Sequence, residues 1–147
     1  MTTETLLTYL PYGPDFLFLD SIEELSELGI KGHYHFKPEL WFYASHFKNQ
    51  PVTPGVILIE CMAQIGLVCF GIYLISKEDT TREVSQTGLA LSSSEIDFYK
   101  PVYPDEKVTV VSDIVYFRFN KLKCKVKMLN SQNELVCKGV LSGMLTV

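Results

Sequence analysis

Between Val52 and Ser76 the chain reads VTPGVILIECMAQIGLVCFGIYLIS, and Glu60 is the only charged residue in it. A stretch this long and apolar has two fates, a span of a bilayer or the buried centre of a soluble domain. Glu60, Gln64 and the Pro54-Gly55 pair interrupt it, and no clear Lys/Arg flank sets an orientation. The segments after it alternate as water-facing strands do, so a buried helix and no membrane is the expectation. Burial disfavours the charged form of a carboxyl group and can raise its pKa to roughly 8–9 at the extreme. Glu60 is thus expected to hold its proton near neutral pH, the state a general acid needs. Thr53-Pro54-Gly55 reads as a helix start, with Thr53 as cap and Pro54 as the first helical residue. His46 lies shortly before it.

The 147 residues suffice for one domain with a proper core, and no linker or repeat divides residues 1–147. Hydrophobic residues make up 47% and charged residues 20%, a globular balance. Acidic residues outnumber basic ones 17 to 13, for a formal net charge of -4. That argues against a general nucleic-acid binder, which needs a surplus of Lys and Arg to neutralise phosphates. Cys61, Cys69, Cys124 and Cys137 show neither paired metal spacing nor a short disulfide framework. A reduced, cytoplasmic setting follows as the expectation. Met1 to Leu10 has no basic n-region and no apolar h-region, so no secretory signal is expected.

Turn residues and periodicity divide the rest. Leu10 to Asp20 holds two prolines and a glycine, which suits a short helical or turn segment leading into an apolar strand start. Gly29 to Phe36 reads as a strand with Ile30, Gly32, Tyr34 and Phe36 on one side, and Pro38 to Gln50 as irregular and aromatic-rich. The helix runs from Pro54 to about Ser76 and ends at a polar break over Lys77 to Gln86. Strands are expected at Gly88 to Phe98, Glu106 to Phe117, Lys121 to Met128 and Leu135 to Val147. Lysines alternate with apolar residues in KLKCKVKM, the mark of a half-buried antiparallel strand with one wet face. One long buried helix before a meander of long strands implies an α+β architecture, an antiparallel sheet wrapped around that helix.

Three motifs in this order resemble those of the 3-hydroxyacyl-ACP dehydratases of the FabZ type, which have the hot-dog fold. The entry segment Leu10-Pro11-Tyr12-Gly13-Pro14-Asp15-Phe16-Leu17-Phe18-Leu19-Asp20 is similar to L-P-H-R-x-P-F-L-L-V-D. Ser45-His46-Phe47 through Pro51, Pro54-Gly55-Val56, Glu60 and Met62-Ala63-Gln64 keep the spacing of G-H-F-P-x-x-P-x-x-P-G-V-x-x-x-E-x-M-A-Q. Phe98 to Glu106 echoes F-x-x-P-V-x-P-G-D. Tyr12-Gly13 replaces His-Arg, Ser45 replaces a Gly, and Lys48-Asn49 replaces a Pro-containing pair. The catalytic positions are intact.

Dehydrating a 3-hydroxyacyl thioester needs a base for the alpha proton, a donor for the enolate oxygen and an acid for the departing hydroxyl. The resemblance implies His46 as base and Glu60 as acid. The first N–H groups of a helix have no intrahelical partner and lie at its positive end, so Gly55, with Val56, is placed to receive the thioester oxygen. Gln64, one turn past Glu60, could orient its carboxyl group. Glu60 lies six residues past Pro54, roughly 9 Å along the axis, far for one helix to serve both ends of a small substrate head. The resemblance implies that His46 of one protomer faces Glu60 of its partner in a homodimer, or in a trimer of such dimers. It implies acyl carrier protein as the substrate's carrier and no added cofactor.

Other readings compete. The same fold hosts thioesterases, in which Glu60 would activate water or attack the thioester, and it could serve as a non-catalytic hot-dog partner or acyl-binding module. His33 and His35 have a two-ligand metal spacing but lack a third ligand, so a solvated strand face and no metal is expected. The lysines from Lys121 to Lys127, with Lys48 and Lys100, could meet an acidic carrier through local charge. Trp41-Phe42-Tyr43 reads as packing rather than an acyl-tail wall. A specialised pathway such as pigment or polyene synthesis has no physical signature in the residues.

Overall fold

In the computed structural model, which describes residues 2–78 and 88–146, the chain opens with α1 (Thr3–Thr8) and a single 3-10 turn (Pro14–Phe16). Strands β1 (Ser21–Ser26) and β2 (Gly29–His35) follow, and then the long helix α2 (Gly55–Glu78). Four strands complete the chain: β3 (Gly88–Phe98), β4 (Lys107–Arg118), β5 (Lys121–Leu129) and β6 (Leu135–Thr146). All six strands join one antiparallel sheet in the order β1-β2-β4-β5-β6-β3. The strand expectations of the second half hold to within a residue or so at the described ends. The polar break expected over Lys77 to Gln86 lies mostly outside the described residues.

The sheet wraps α2 as its patterning requires. Ile30, Gly32, Tyr34 and Phe36 are buried on one side, and Leu122, Cys124, Val126 and Met128 do the same on β5. Helix α2 is long and apolar enough to cross a bilayer, yet 78% of its most apolar window is buried inside the domain. Its apolarity belongs to the core, where each fully buried Leu, Ile or Phe contributes roughly 1.5–3 kcal/mol. All four cysteines are free and buried there.

Two expectations for α2 need correction. Pro54, with φ -58 and ψ 137, is itself the non-helical cap, and Gly55 is the first helical residue. The Thr53 hydroxyl does not cap the helix because it is hydrogen-bonded to the Tyr43 hydroxyl. The helix is also not α throughout: Gln64–Cys69 is π-helical. There the helix meets the sheet closely, and a methyl group at Gly66 would lie 3.0 Å from Ser112 Cβ. The Ser112 hydroxyl donates to the Gly66 carbonyl at 3.0 Å, supplying a partner inside the wider π turn.

The entry segment differs as well. Leu17 is extended, but strand pairing starts only at Ser21, and neither α1 nor β1 is among the elements read from the sequence. Strand β1 (SIEELS) is an edge strand with a bulge between Ile22 and Glu24. The extra residue sets Ile22 and Leu25, three apart, as its two partly buried positions and erases the period-2 signal.

Candidate active site

The irregular segment before α2 is held from both sides. Val52 N–H donates to the His46 carbonyl at 2.8 Å, and His46 Nδ1 bonds the Val52 carbonyl at 2.8 Å. Thr53 N–H donates to the Val102 carbonyl at 2.8 Å, tying the same loop to the turn before β4. A carbonyl oxygen can only accept, so Nδ1 carries a proton, and the neutral tautomer that fits this bond has its lone pair on Nε2. The Phe47 ring stacks on the imidazole with centroids 4.0 Å apart, and His46 is partly buried. The loop thus delivers an oriented imidazole in the tautomer a base requires.

The N-terminus of α2 lies beside it. Among the described residues the N–H groups of Gly55 and Val56 have no acceptor, whereas those of Ile57 and Leu58 both reach the Pro54 carbonyl. The Phe98 ring at the end of β3 lies edge-on to Gly55, and a methyl group there would come within 3.2 Å of it. Val56 points outward and is 72% exposed. The two open amides therefore share a site walled by an aromatic ring.

Glu60 lies on the next turns of α2, half-buried. Burial pushes its carboxyl group above the usual carboxylate range, and the hydrogen bond from Gln64 pulls partly the other way. Gln64 is fully buried and all its amide atoms are engaged. Its Oε1 accepts from Phe18 N–H at 2.7 Å, and its Nε2 donates to the Phe16 carbonyl at 2.9 Å and to Glu60 Oε1 at 3.2 Å. Gln64 thus fastens the entry segment to the helix and holds Glu60, and its burial leaves it no face for a ligand. Tyr12 of that segment lies close by: burial raises its phenol pKa, and the Glu60 charge and Cys69 add to the effect.

Within one chain no hydrogen bond among the described residues joins His46 to Glu60. The structure brings His46 to the helix N-terminus, and it brings Glu60 to Gln64 and the entry segment. The contacts of Phe98, Tyr12, Tyr43 and Val102 escape sequence reasoning. The resembling motifs that begin at Leu10 and at Phe98 include Tyr12, Phe98 and Val102, but they do not say what those residues touch. His33 and His35 are not paired on a metal: His33 bonds Thr109 and Glu23, and His35 bonds Asp105. Phe42 and Tyr43 are buried, while Trp41 is 58% exposed and donates from Nε1 to the Asp15 carbonyl at 2.8 Å.

A family model described as the FabA-like domain matches residues 10–141. A 3-hydroxyacyl-[acyl-carrier-protein] dehydratase FabZ of Petrotoga mobilis is 30% identical over 137 residues, covering 93% of this chain and 91% of the relative. A protein of the same name from Herpetosiphon aurantiacus is 32% identical, covering 85% of this chain and 86% of the relative. Among solved structures, the dehydratase heterocomplex ApeI:P of Xenorhabdus doucetiae matches with a TM-score of 0.78 at 11% identity, over 100% of this chain and 93% of that one. A hypothetical thioesterase with coenzyme A from Streptococcus pneumoniae matches with a TM-score of 0.61 at 17% identity, over 86% and 84%. At such identities the structures speak to the fold, which is the hot-dog fold.

Proposed function

The chain belongs to the FabA-like family and is a dehydratase of the FabZ-like hot-dog type, and from that premise we propose that it converts a 3-hydroxyacyl-ACP thioester to the trans-2-enoyl-ACP thioester. The observation that carries this reading is the pairing of chemistries around one helix. An imidazole with a bare Nε2 is tied to the N-terminus of α2, and a carboxyl group with a raised pKa lies further along it.

In the proposed reaction His46 Nε2 removes a proton from C2. Negative charge grows on the thioester oxygen, which accepts from the Gly55 N–H at the positive end of α2, with Val56 N–H beside it. The C2–C3 double bond forms as the C3–O bond breaks, and the Glu60 proton goes to the departing hydroxyl to make water. The imidazolium and the glutamate then exchange a proton through solvent, which restores both. Gln64 is a positioning residue. Its Nε2 donates to Glu60 Oε1, which in the neutral acid acts as the carbonyl oxygen and leaves the proton on the other oxygen.

One chain does not complete this site. The length of helix between Gly55 and Glu60 spans about 7.5 Å at 1.5 Å per residue. We assign His46 and the helix N-terminus to one protomer and Glu60 to its partner. Strand β3 supports a homodimer: it is an 11-residue edge strand, mostly exposed, with Leu91 and Phe98 uncovered. An edge of that length is a template for pairing with a second copy. A cytoplasmic location and a role in fatty-acid or related acyl-chain synthesis accompany this reading.

The test is incubation with a 3-hydroxyacyl-ACP thioester. Loss of water with the thioester retained supports the proposal. Release of free thiol instead indicates hydrolysis and overturns it.

A further inference from the structure

At the end of the fold where α2 finishes, the hairpin of β4 and β5 departs from what its turn demands. Only Phe119 and Asn120 join the paired Arg118 and Lys121, and both have positive φ, 52 and 62. A two-residue turn of this hand favours Asn, Asp or Gly at both positions, and a bulky side chain there is an outlier. The closing pair sets two cations directly opposite each other, which destabilises a sheet. The conformation is nonetheless held: the Asn120 carbonyl accepts from Leu145 N–H of β6 at 2.8 Å.

Phe119 gains no packing in return. It is 89% exposed, at the rim of a depression of about 380 Å³ that Ile75, Phe117 and Leu145 help to line, and its ring is not packed into it. A local choice that costs stability and adds no internal contact points to a use outside the fold. The outward surface beside the tip is basic. Arg118, Lys121 and Lys123 share one face with Tyr116, whose ring centroid is 4.4 Å from the Arg118 guanidinium and 5.9 Å from Lys123 Nζ. Exposed Met144 stands opposite Lys121. Strands β5 and β6 contain no acid, and the only one in β4 is Asp113, opposite Lys125 and away from the tip. Glu78 lines the depression on the helix side.

We propose that this hairpin tip docks on an anionic lipid surface, with the Phe119 ring entering the acyl boundary and Arg118, Lys121 and Lys123 meeting headgroup phosphates. A fluid interface accepts a projecting ring without a preformed hole, and aromatic and basic side chains suit its depth. A second copy meeting tip to tip would bring the same cations face to face. In a chain of net charge -4, this local basic patch sets the orientation of approach. The contact is peripheral and leaves α2 in the core. It is independent of the dehydratase reading.

The test is co-sedimentation of the full-length protein at low salt with vesicles of phosphatidylcholine alone, or of phosphatidylcholine mixed equally with phosphatidylglycerol. The expected result is binding to the anionic vesicles at least tenfold tighter than to the neutral ones. Phe119→Asn and Arg118→Gln/Lys121→Gln should each weaken it at least fivefold. Lys125→Gln/Lys127→Gln, which removes the same charge further along the sheet, should change it less than twofold. Asn suits the turn, so the Tm of Phe119→Asn should equal or exceed that of the wild type. Phe119→Trp should keep binding, with emission that moves to the blue on vesicles. No binding by the wild type, equal binding to both vesicles, or wild-type binding by Phe119→Asn would each overturn the proposal. Lost binding with a lowered Tm would make Phe119 a prop of the hairpin, which also overturns it. So would a wild type that ignores vesicles while Phe119→Asn shrinks the assembly in sedimentation velocity, since the tip would then be a contact between copies.

Discussion

Glu60 and Gln64 divide one task between them: burial raises the acid's pKa, and a fully buried amide fixes its direction. The pH dependence follows with a definite sign. A carboxyl group whose folded pKa exceeds its unfolded value favours folding fully below the unfolded pKa, and this is lost as pH rises through the folded value. Glu60→Gln removes the ionisation, so its Tm should exceed that of the wild type at pH 8, and the gap should close on acidification below about pH 4. A gap independent of pH in thermal melts would mean that Glu60 is not the buried acid described here. On the proposed mechanism the same substitution abolishes turnover, and the wild-type rate falls on the alkaline side as Glu60 ionises. Gly55→Ala tests the open amides: its methyl group meets the half-exposed Phe98 ring, which can swing aside. We expect kcat/KM to fall by about 10- to 100-fold with little change in Tm; wild-type kinetics would dismiss the oxyanion role. Glu60 stands out in the sequence by its isolation in an apolar run, and His46 by the resemblance of the motif that carries it. The Phe98 contact was not, because a touch between β3 and α2 leaves no mark on either local pattern.

At the scale of elements, α2 and the four long strands could be read because periodicity and length report burial directly. The π-helical turn could not. Its apolar residues match an ordinary helix, and its partner Ser112 sits 46 residues further along the chain. Gly66→Ala should destabilise the fold by about 1–3 kcal/mol, measured by urea unfolding, because the added methyl meets Ser112 and Val126 in a filled interior. A neutral result would show that the helix can retreat from the sheet. The turn before β4 illustrates a departure that the backbone accommodates. Asp105 stands where the resembling motif has Gly, and it keeps the left-handed conformation with φ 76. Asp tolerates that region better than most residues. Its carboxylate takes up His35 Nε2 at 2.7 Å, and its N–H donates to the Phe36 carbonyl at 2.6 Å. Asp105→Ala should cost about 1–2 kcal/mol in the same unfolding measurement, while Asp105→Gly should lose less because it relieves the backbone. If the two cost the same, the left-handed conformation is not what the position selects.

For the whole molecule, the proposed mechanism asks two protomers to complete each site, with His46 before the N-terminus of α2 and Glu60 further along it. The sheet ends at β3 with its edge open, and the aromatic residues Phe47, Phe98, Tyr99 and Tyr103 are exposed near the start of α2. Those features are what a second copy would cover, and no sequence period announces them, since an edge strand and a central strand alternate alike. The central claim is that His46 and Glu60 act across two protomers, and mixing two inactive variants tests it most directly. His46→Ala and Glu60→Gln chains, co-refolded in equal amounts, should reassort so that half the dimers are mixed, each with one intact site of two. Recovery of about a quarter of wild-type turnover is expected from two preparations that are each inactive. A mixture whose dimers are shown to have exchanged subunits and which still yields no turnover would contradict it.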